Sequence, residues 1–406
     1  MNNVDRFFQT SHYNIIRVLL SICGIWPFHT VVRRYVIYVA IALVLGSGYI
    51  FEIMGVAEIW HDTFELVDSV PLIFLGMVAM SKIICAIYTL PKIKMLLIKM
   101  QKYCLSPKSD EEYKIQQSHA LYGRNLGIAY TSIVLGHVAI FLFTTALGKF
   151  TAKKSKDSVS STVNNLYPGI PYRVNYMVDV DTYFVPIFIH TTTCHISYML
   201  LVVIFDALYL TLIEHCCGLF AALRTFRFRL EHACEFENDD YTLAHMTTSK
   251  ENKSYLNVAY CIRRHAEAIQ FVTILESAYS MPLFIHLGST ILELSVIGYQ
   301  VITNLGNLNL VLHHSSYLSG LLINAFFENW QGQKIIDSSE KVFDSAYNAE
   351  WYNMPIMARK LLIMIMMKSK KPIVVSVGHK FIVLSYVTFN AIVRMSMSYF
   401  MLLRSV

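Results

Sequence analysis

Residues 184–213 read FVPIFIHTTTCHISYMLLVVIFDALYLTLI, thirty residues with a single formal charge, Asp206. A helix rises about 1.5 Å per residue, so this stretch is long enough to cross a hydrocarbon core about 30 Å thick. In lipid every backbone polar group must find its partner within the segment, and a helix meets that condition. The stretch therefore reads as a transmembrane helix with length to spare.

Working outward, six more segments satisfy the same test: Tyr35–Val56, Ser69–Leu90, Leu126–Leu147, Ala268–Thr303, Gly306–Phe327 and Phe381–Leu403. The third and sixth of the seven contain no Asp, Glu, Lys or Arg, and the fifth, like the fourth, exceeds what a bilayer needs. Composition agrees: 55% of the 406 residues are hydrophobic, 15% are charged, and mean hydropathy is +0.45. Soluble domains carry roughly a quarter charged residues. An ordinary cytosolic enzyme, a disordered chain and a small disulfide scaffold are all excluded. The expected fold class is an all-α membrane protein with seven transmembrane helices. Its divisions are 1–34 (an N-terminal segment whose apolar run Val18–Phe28 is too short to span and reads as an interfacial helix), 35–327 (six membrane helices), 328–380 and 381–406. Within 328–380 the apolar stretch Met354–Met367 is also too short to span and reads as a helix packed in protein.

Lysine and arginine set the orientation. Of 34, two lie inside spans (Lys82 and Arg394), 26 fall in segments 1–34, 91–125, 214–267 and 328–380, and 6 fall in the alternate segments. Positive residues accumulate on the cytoplasmic side. The N terminus is expected inside and the C terminus outside, with 328–380 as a cytoplasmic anchor ahead of the last span. The net charge of +6 is thus a matter of topology, and no basic face with stacking aromatics suggests nucleic acid as a partner.

No phosphate loop, HExxH, CxxC or GxSxG is present. His313-His314 and His215-Cys216-Cys217 have spacings that fit no common metal site, so neither metal nor cofactor is expected, nor an enzyme. Six charges lie within spans: Glu52, Lys82, Asp206, Glu276, Glu293 and Arg394. Intramembrane charges point to function or to internal pairing, and a structural ion pair is the reading favoured here. The outer halves of spans two, three, four and six are rich in Phe74, Met77, Gly136, Ile140, Phe184, Ile187, Phe188, Thr191, His313 and Tyr317. Periodicity alone reads these as helix packing; a cavity so lined would suit a small, mostly apolar ligand.

The C-terminal third carries a resemblance. Ala349-Glu350-Trp351-Tyr352, Arg359-Lys360-Leu361, Lys370-Lys371-Pro372-Ile373, and the run from Phe381 to the terminal Ser398-Tyr399-Phe400-Met401-Leu402-Leu403-Arg404-Ser405-Val406 resemble an insect odorant receptor. Gly24-Ile25-Trp26-Pro27 is similar to the hymenopteran form. The resemblance implies an odorant-gated, non-selective cation channel in the plasma membrane of an olfactory neuron dendrite. It implies a heterotetramer of odorant-binding subunits with a shared co-receptor subunit, surrounded by membrane lipid. It assigns odorant binding to Phe74, Met77, Gly136, Ile140, Ile187, Phe188, Thr191, His313 and Tyr317. The last helix would line the pore, with its constriction at Leu402, Ser405 and Val406, and Trp351, Tyr352 and Arg359 would belong to the subunit interface. One departure stands out: a polar amide is common in related subunits where Ser405 stands, and Arg404 lies beside the mouth.

Three other readings compete. A G-protein-coupled receptor would show Asp-Arg-Tyr after span three, Asn-Pro-x-x-Tyr in span seven and the opposite charge bias. A gustatory channel of the same superfamily would share the topology but close on Gln-Phe. A transporter would usually show paired halves with broken helices, of which the sequence gives no sign. An epitope tag at residue 1 is expected to stain only permeabilised cells and a tag after Val406 to stain intact ones; the reverse pattern would overturn the orientation drawn from the charge bias.

Overall fold

The computed structural model describes residues 3–61, 63–107, 109–155, 169–180, 182–224, 243–306 and 308–405. The helices among them are α1 (Asn3–Thr10), α2 (Asn14–Ile22), α3 (Val31–Glu58), α4 (Thr63–Tyr88), α5 (Leu90–Leu105), α6 (Asp110–Ser155), α7 (Phe184–Arg224), α8 (Leu243–Thr303), α9 (Leu308–Tyr347), α10 (Ile356–Ser369) and α11 (Tyr386–Ser405). A 3₁₀ turn at Trp351–Asn353 precedes α10, and an antiparallel pair of two-residue strands, β1 (Ser376–Val377) and β2 (Ile382–Val383), precedes α11.

Helix α7, which contains the opening stretch, is the axis of the bundle. It is apolar on every side, and such a helix is stable only when surrounded; from Leu201 to Leu223 nearly every residue is buried. Helices α2, α3, α4, α6, α8 and α9 pack around it. Among the described residues five stretches are long and apolar enough to cross a membrane: Val31–Glu58, Ser69–Tyr88, Asp110–Leu147, Phe184–Arg224 and Ser254–Thr303. The two remaining expected spans are helical within α9 and α11 but carry more polar residues, and both helices pack against α8.

Three boundaries differ from the sequence reading. Residues 381–385 belong to the strand pair and its exit, so the last helix starts at Tyr386. The cause is local. The Ser385 hydroxyl accepts the Thr388 N–H at 3.3 Å, a side-chain cap that begins the helix there. Gly378, His379 and Lys380 all adopt positive φ, which reverses the chain just ahead of β2. The apolar run Val18–Phe28 is not one helix, because α2 ends at Ile22 and Gly24 takes φ +71°. The segment Met354–Met367 becomes α10, shifted two residues and preceded by Pro355. Helix α5 emerges as a separate element, burying Ile93, Leu96, Leu97 and Met100 against α8 and other neighbours.

The bundle is tied at its centre by ionic groups. Lys82 on α4 donates to Asp206 on α7 at 2.6 Å and to Glu328 on α9 at 3.4 Å, with all three side chains 1% exposed. The Lys82 ammonium also lies 5.6 Å from the ring centre of Phe205, a cation–π contact. His286 on α8 meets Glu328 at 2.7 Å. One ammonium thus joins three helices directly and a fourth through Glu328. Removing one partner from a buried pair leaves an uncompensated charge and costs about 3–5 kcal/mol. Lys82→Met is accordingly expected to lower the thermal midpoint of the detergent-solubilised chain steeply. Lys82→Met combined with Asp206→Leu should regain most of the loss, and purely additive losses in the double variant would contradict this account.

Candidate functional site

A cavity of about 320 Å³ lies between α4, α6, α7, α8 and α9. Its walls are mostly apolar: Leu75 and Val78 from α4, Ile133, Val134 and Ile140 from α6, Met199 and Val202 from α7, and Leu321 and Ile323 from α9. Ile133, Ile140 and Ile323 are 55%, 57% and 45% exposed, so the cavity opens on the side where α6 and α9 meet the surroundings. Gly320 lets the His137 imidazole lie against the backbone of α9; a Cβ there would come within 2.9 Å of Nε2.

The inner end of the cavity is polar. The Tyr130 hydroxyl lies 2.8 Å from Asn324 Oδ1 and 3.0 Å from Asp206 Oδ2. Asn324 Nδ2 lies 3.4 Å from His286 Nε2, whose other nitrogen faces Glu328. One set of directions satisfies the chain: Tyr130 donates to Asn324, Asn324 to His286 Nε2, and His286 Nδ1–H to Glu328. The cavity therefore ends on the ion cluster that ties the bundle. Higher on the wall, Glu293 on α8 is 2% exposed and hydrogen-bonded to the Tyr317 hydroxyl, which also lies 3.3 Å from the Pro71 carbonyl.

Of the residues expected to bind odorant, Gly136, Ile140 and Tyr317 line this cavity. Phe74, Met77, Ile187, Phe188, Thr191 and His313 lie outside its lining. Met77 is 38% exposed on α4, and Phe188 stacks on Phe184 with ring centres 5.7 Å apart. Ile187 and Thr191 are buried, the Thr191 hydroxyl donating to the Ile187 carbonyl at 2.9 Å. His313 packs with its ring centre 4.6 Å from that of Phe141, which also stacks on His195 at 4.9 Å. Tyr130, His137, His286 and Asn324 were missed. Nothing in a uniformly apolar helix marks which face looks into a void. Glu293 was visible as an intramembrane charge, and it shares a face with His286 because seven residues make nearly two turns.

Among the described residues no group of three or more His, Cys, Asp and Glu is arranged to hold a metal ion. On the other expected surfaces, Trp351 and Tyr352 are exposed beside the exposed Ile356, Met357, Ile363, Met364 and Met367, while the Arg359 Nε donates to the Met354 carbonyl at 2.6 Å. Leu402 is 60% exposed on α11; the Ser405 side chain and all of Val406 lie outside the described residues.

Comparison with known proteins bears on this arrangement. A sequence model of the family described as 7tm Odorant receptor matches residues 62–397. The odorant receptor coreceptor of Aedes aegypti is 26% identical over 147 residues, 36% of this chain and 30% of that protein. Odorant receptor 67c of Drosophila melanogaster is 25% identical over 162 residues, 40% of this chain and 39% of that protein. The matched stretches thus span between about three tenths and two fifths of these relatives. The structure of the insect olfactory receptor OR5 from Machilis hrabei in complex with eugenol superposes with a TM-score of 0.72 over 97% of both chains at 12% identity, which shows a common fold. The family match over most of its length places this chain in the 7tm odorant receptor family, a family of receptors and not of enzymes.

Proposed function

We propose that the chain is the odorant-binding subunit of a ligand-gated, non-selective cation channel, that it holds a small volatile ligand in the cavity between α4, α6, α7, α8 and α9, and that it assembles with a co-receptor subunit into a heterotetramer in the plasma membrane of an olfactory neuron dendrite. The observation that carries this reading is the cavity itself. At about 320 Å³, with apolar walls and a few convergent polar groups, it has the size and chemistry of a small-molecule site. The complex of the Machilis receptor with eugenol, itself a compact aromatic molecule, supports the same reading.

Seven crossings with the N terminus inside are part of this proposal; the charge bias supports the orientation, and helices over most of each expected span support the count. The assembly part rests on α10. One of its faces, with Ala358, Leu362, Ile365 and Ser369, is buried, while the other leaves Ile356, Met357, Ile363, Met364 and Met367 exposed. A lone subunit in the cytoplasm would present that apolar face to water, and a partner subunit would cover it. The pore part rests on α11, which packs its Ile392–Ser396–Phe400 face inward and leaves Leu402 exposed on another. Four such helices around an axis could set an aliphatic ring at the level of Leu402, and such a ring holds a pore shut by excluding water.

Three measurements test the parts separately, each on the full chain expressed with a co-receptor and normalised to surface protein. Val202→Phe fills the cavity and should raise the half-maximal concentration of every activating odorant by about tenfold or more, about 1.4 kcal/mol or more; unchanged dose–response curves would remove the cavity from the mechanism. Leu402→Ser should increase current without odorant severalfold while Met401→Ser leaves it near the unmodified level, and equal basal currents in all three would sink the gate. Met364→Glu should reduce recovery of the co-receptor in pull-down, with Lys114→Glu, exposed on α6, as the surface control.

A further inference from the structure

The cavity is acidic. No lysine or arginine lines it, whereas Glu293 lies on its wall and Asp206 and Glu328 stand directly behind Tyr130 and His286 at its inner end. Glu52 on α3, 2% exposed, is close enough to interact electrostatically with the Tyr317 hydroxyl on the same wall. Against these four carboxyl groups there is one ammonium, Lys82, and Asp206 and Glu328 already share it. Among the described residues Glu293 forms no ion pair with any cationic side chain; its protein partner is the Tyr317 hydroxyl. A buried carboxyl group facing an apolar void without a cation has a strong preference for a ligand that brings one, because charges taken out of water are stable only when paired and hydrogen-bonded.

We propose that Glu293 is the recognition point for a small volatile amine, whose nitrogen sits at the Glu293 carboxyl group and whose hydrocarbon part lies against Val78, Met199, Val202 and Leu321. The inference rests on the cavity being the odorant site and goes beyond it by naming the ligand class. An amine and a carboxyl group share one proton between them. When that proton moves from oxygen to nitrogen the O–H bond breaks, an N–H bond forms, and the pair remains neutral overall, so no further ion has to enter the membrane. His137 Nε2 is buried on the same wall with no partner among the described residues and offers a second polar contact to a primary amine. The same charge distribution rejects carboxylic acids, since an anion would face Glu293 with no lysine or arginine to offset it. Alcohols and hydrocarbons of equal length fill the volume but form no charge-assisted contact.

The test uses the full chain with a co-receptor and four ligands matched in length: hexylamine, hexanol, heptane and hexanoic acid. In the unmodified chain hexylamine should act at a concentration about tenfold or more below hexanol and heptane, and hexanoic acid should be the weakest of the four. Hexanoic acid equal to or above hexylamine overturns the proposal without any variant. Glu293→Gln keeps the shape and one hydrogen bond; it should raise the half-maximal concentration for hexylamine by about tenfold more than that for heptane, and Glu293→Asp should recover part of the difference. An equal shift for amine, alcohol and alkane shows Glu293 to be structural and overturns the ligand class while leaving the cavity in place. Val202→Phe separates the two levels. If it changes no ligand's response, the cavity reading falls and the amine proposal falls with it; if it weakens all ligands while Glu293→Gln singles out the amine, both stand.

Discussion

One ammonium holds the centre of this bundle. Lys82 reaches two carboxylates from two other helices in a region where each of the three side chains is almost wholly shielded. Desolvating three ions is costly, and mutual attraction offsets that cost only if the geometry is tight and the remaining lone pairs find donors. Here Glu328 gains the His286 ring, while the Tyr130 hydroxyl has one proton for two oxygens, Asn324 Oδ1 at 2.8 Å and Asp206 Oδ2 at 3.0 Å. The second Glu328 oxygen is buried with no partner among the described residues, so the cluster is not saturated. An apolar cluster of the same volume would hold the helices as well. What the ionic one adds is a fixed rotational register for α4, α7, α8 and α9, because its contacts tolerate little rotation of any helix. A cavity adjoining these helices can keep a defined shape only if that register is kept.

The parts of the fold legible in the sequence are those the membrane dictates. The chain cannot leave backbone groups unsatisfied in lipid, so long apolar runs and helices largely coincide: five expected spans lie in helices long and apolar enough to cross, and most of the other two lies within α9 and α11. Ends were harder to read. Helices α6, α7, α8 and α9 continue well past their apolar runs on surfaces that mix polar and apolar residues, where hydropathy no longer marks a boundary. Residues 381–385 are as apolar as a span requires but are taken up by the strand pair and the Ser385 cap, a tertiary choice that composition cannot announce.

The site was legible only in outline. Depth together with the family resemblance placed Gly136, Ile140 and Tyr317 near a cavity, and the charge inventory exposed Lys82, Asp206 and Glu293. Facing was not legible, since α7 is apolar on all sides and offers no stripe by which Ile187 or Thr191 could be assigned inward or outward. The polar residues of the cavity floor, Tyr130, His286 and Asn324, are of kinds that membrane helices also use for ordinary interhelical hydrogen bonds. Their roles follow from which neighbours the fold brings within 3.4 Å, and that is information held between helices.

Helix α9 gathers these elements into one body. It carries Tyr317 on the cavity wall, Asn324 on the floor and Glu328 in the ion cluster, each within two turns of the next. One residue further, the Asn329 side chain accepts the Ser385 N–H at 3.4 Å, and Gln333 accepts the Tyr386 N–H at 3.4 Å. Gly332, between them, lets Leu384 lie directly on the helix backbone, and any side chain at that position would collide with it. The start of α11 is thus seated directly on the helix whose earlier turns line the cavity. A ligand that is held differently in two tilts of α9 has differential affinity for two seats of α11. Differential affinity is the only means by which binding can shift a conformational equilibrium.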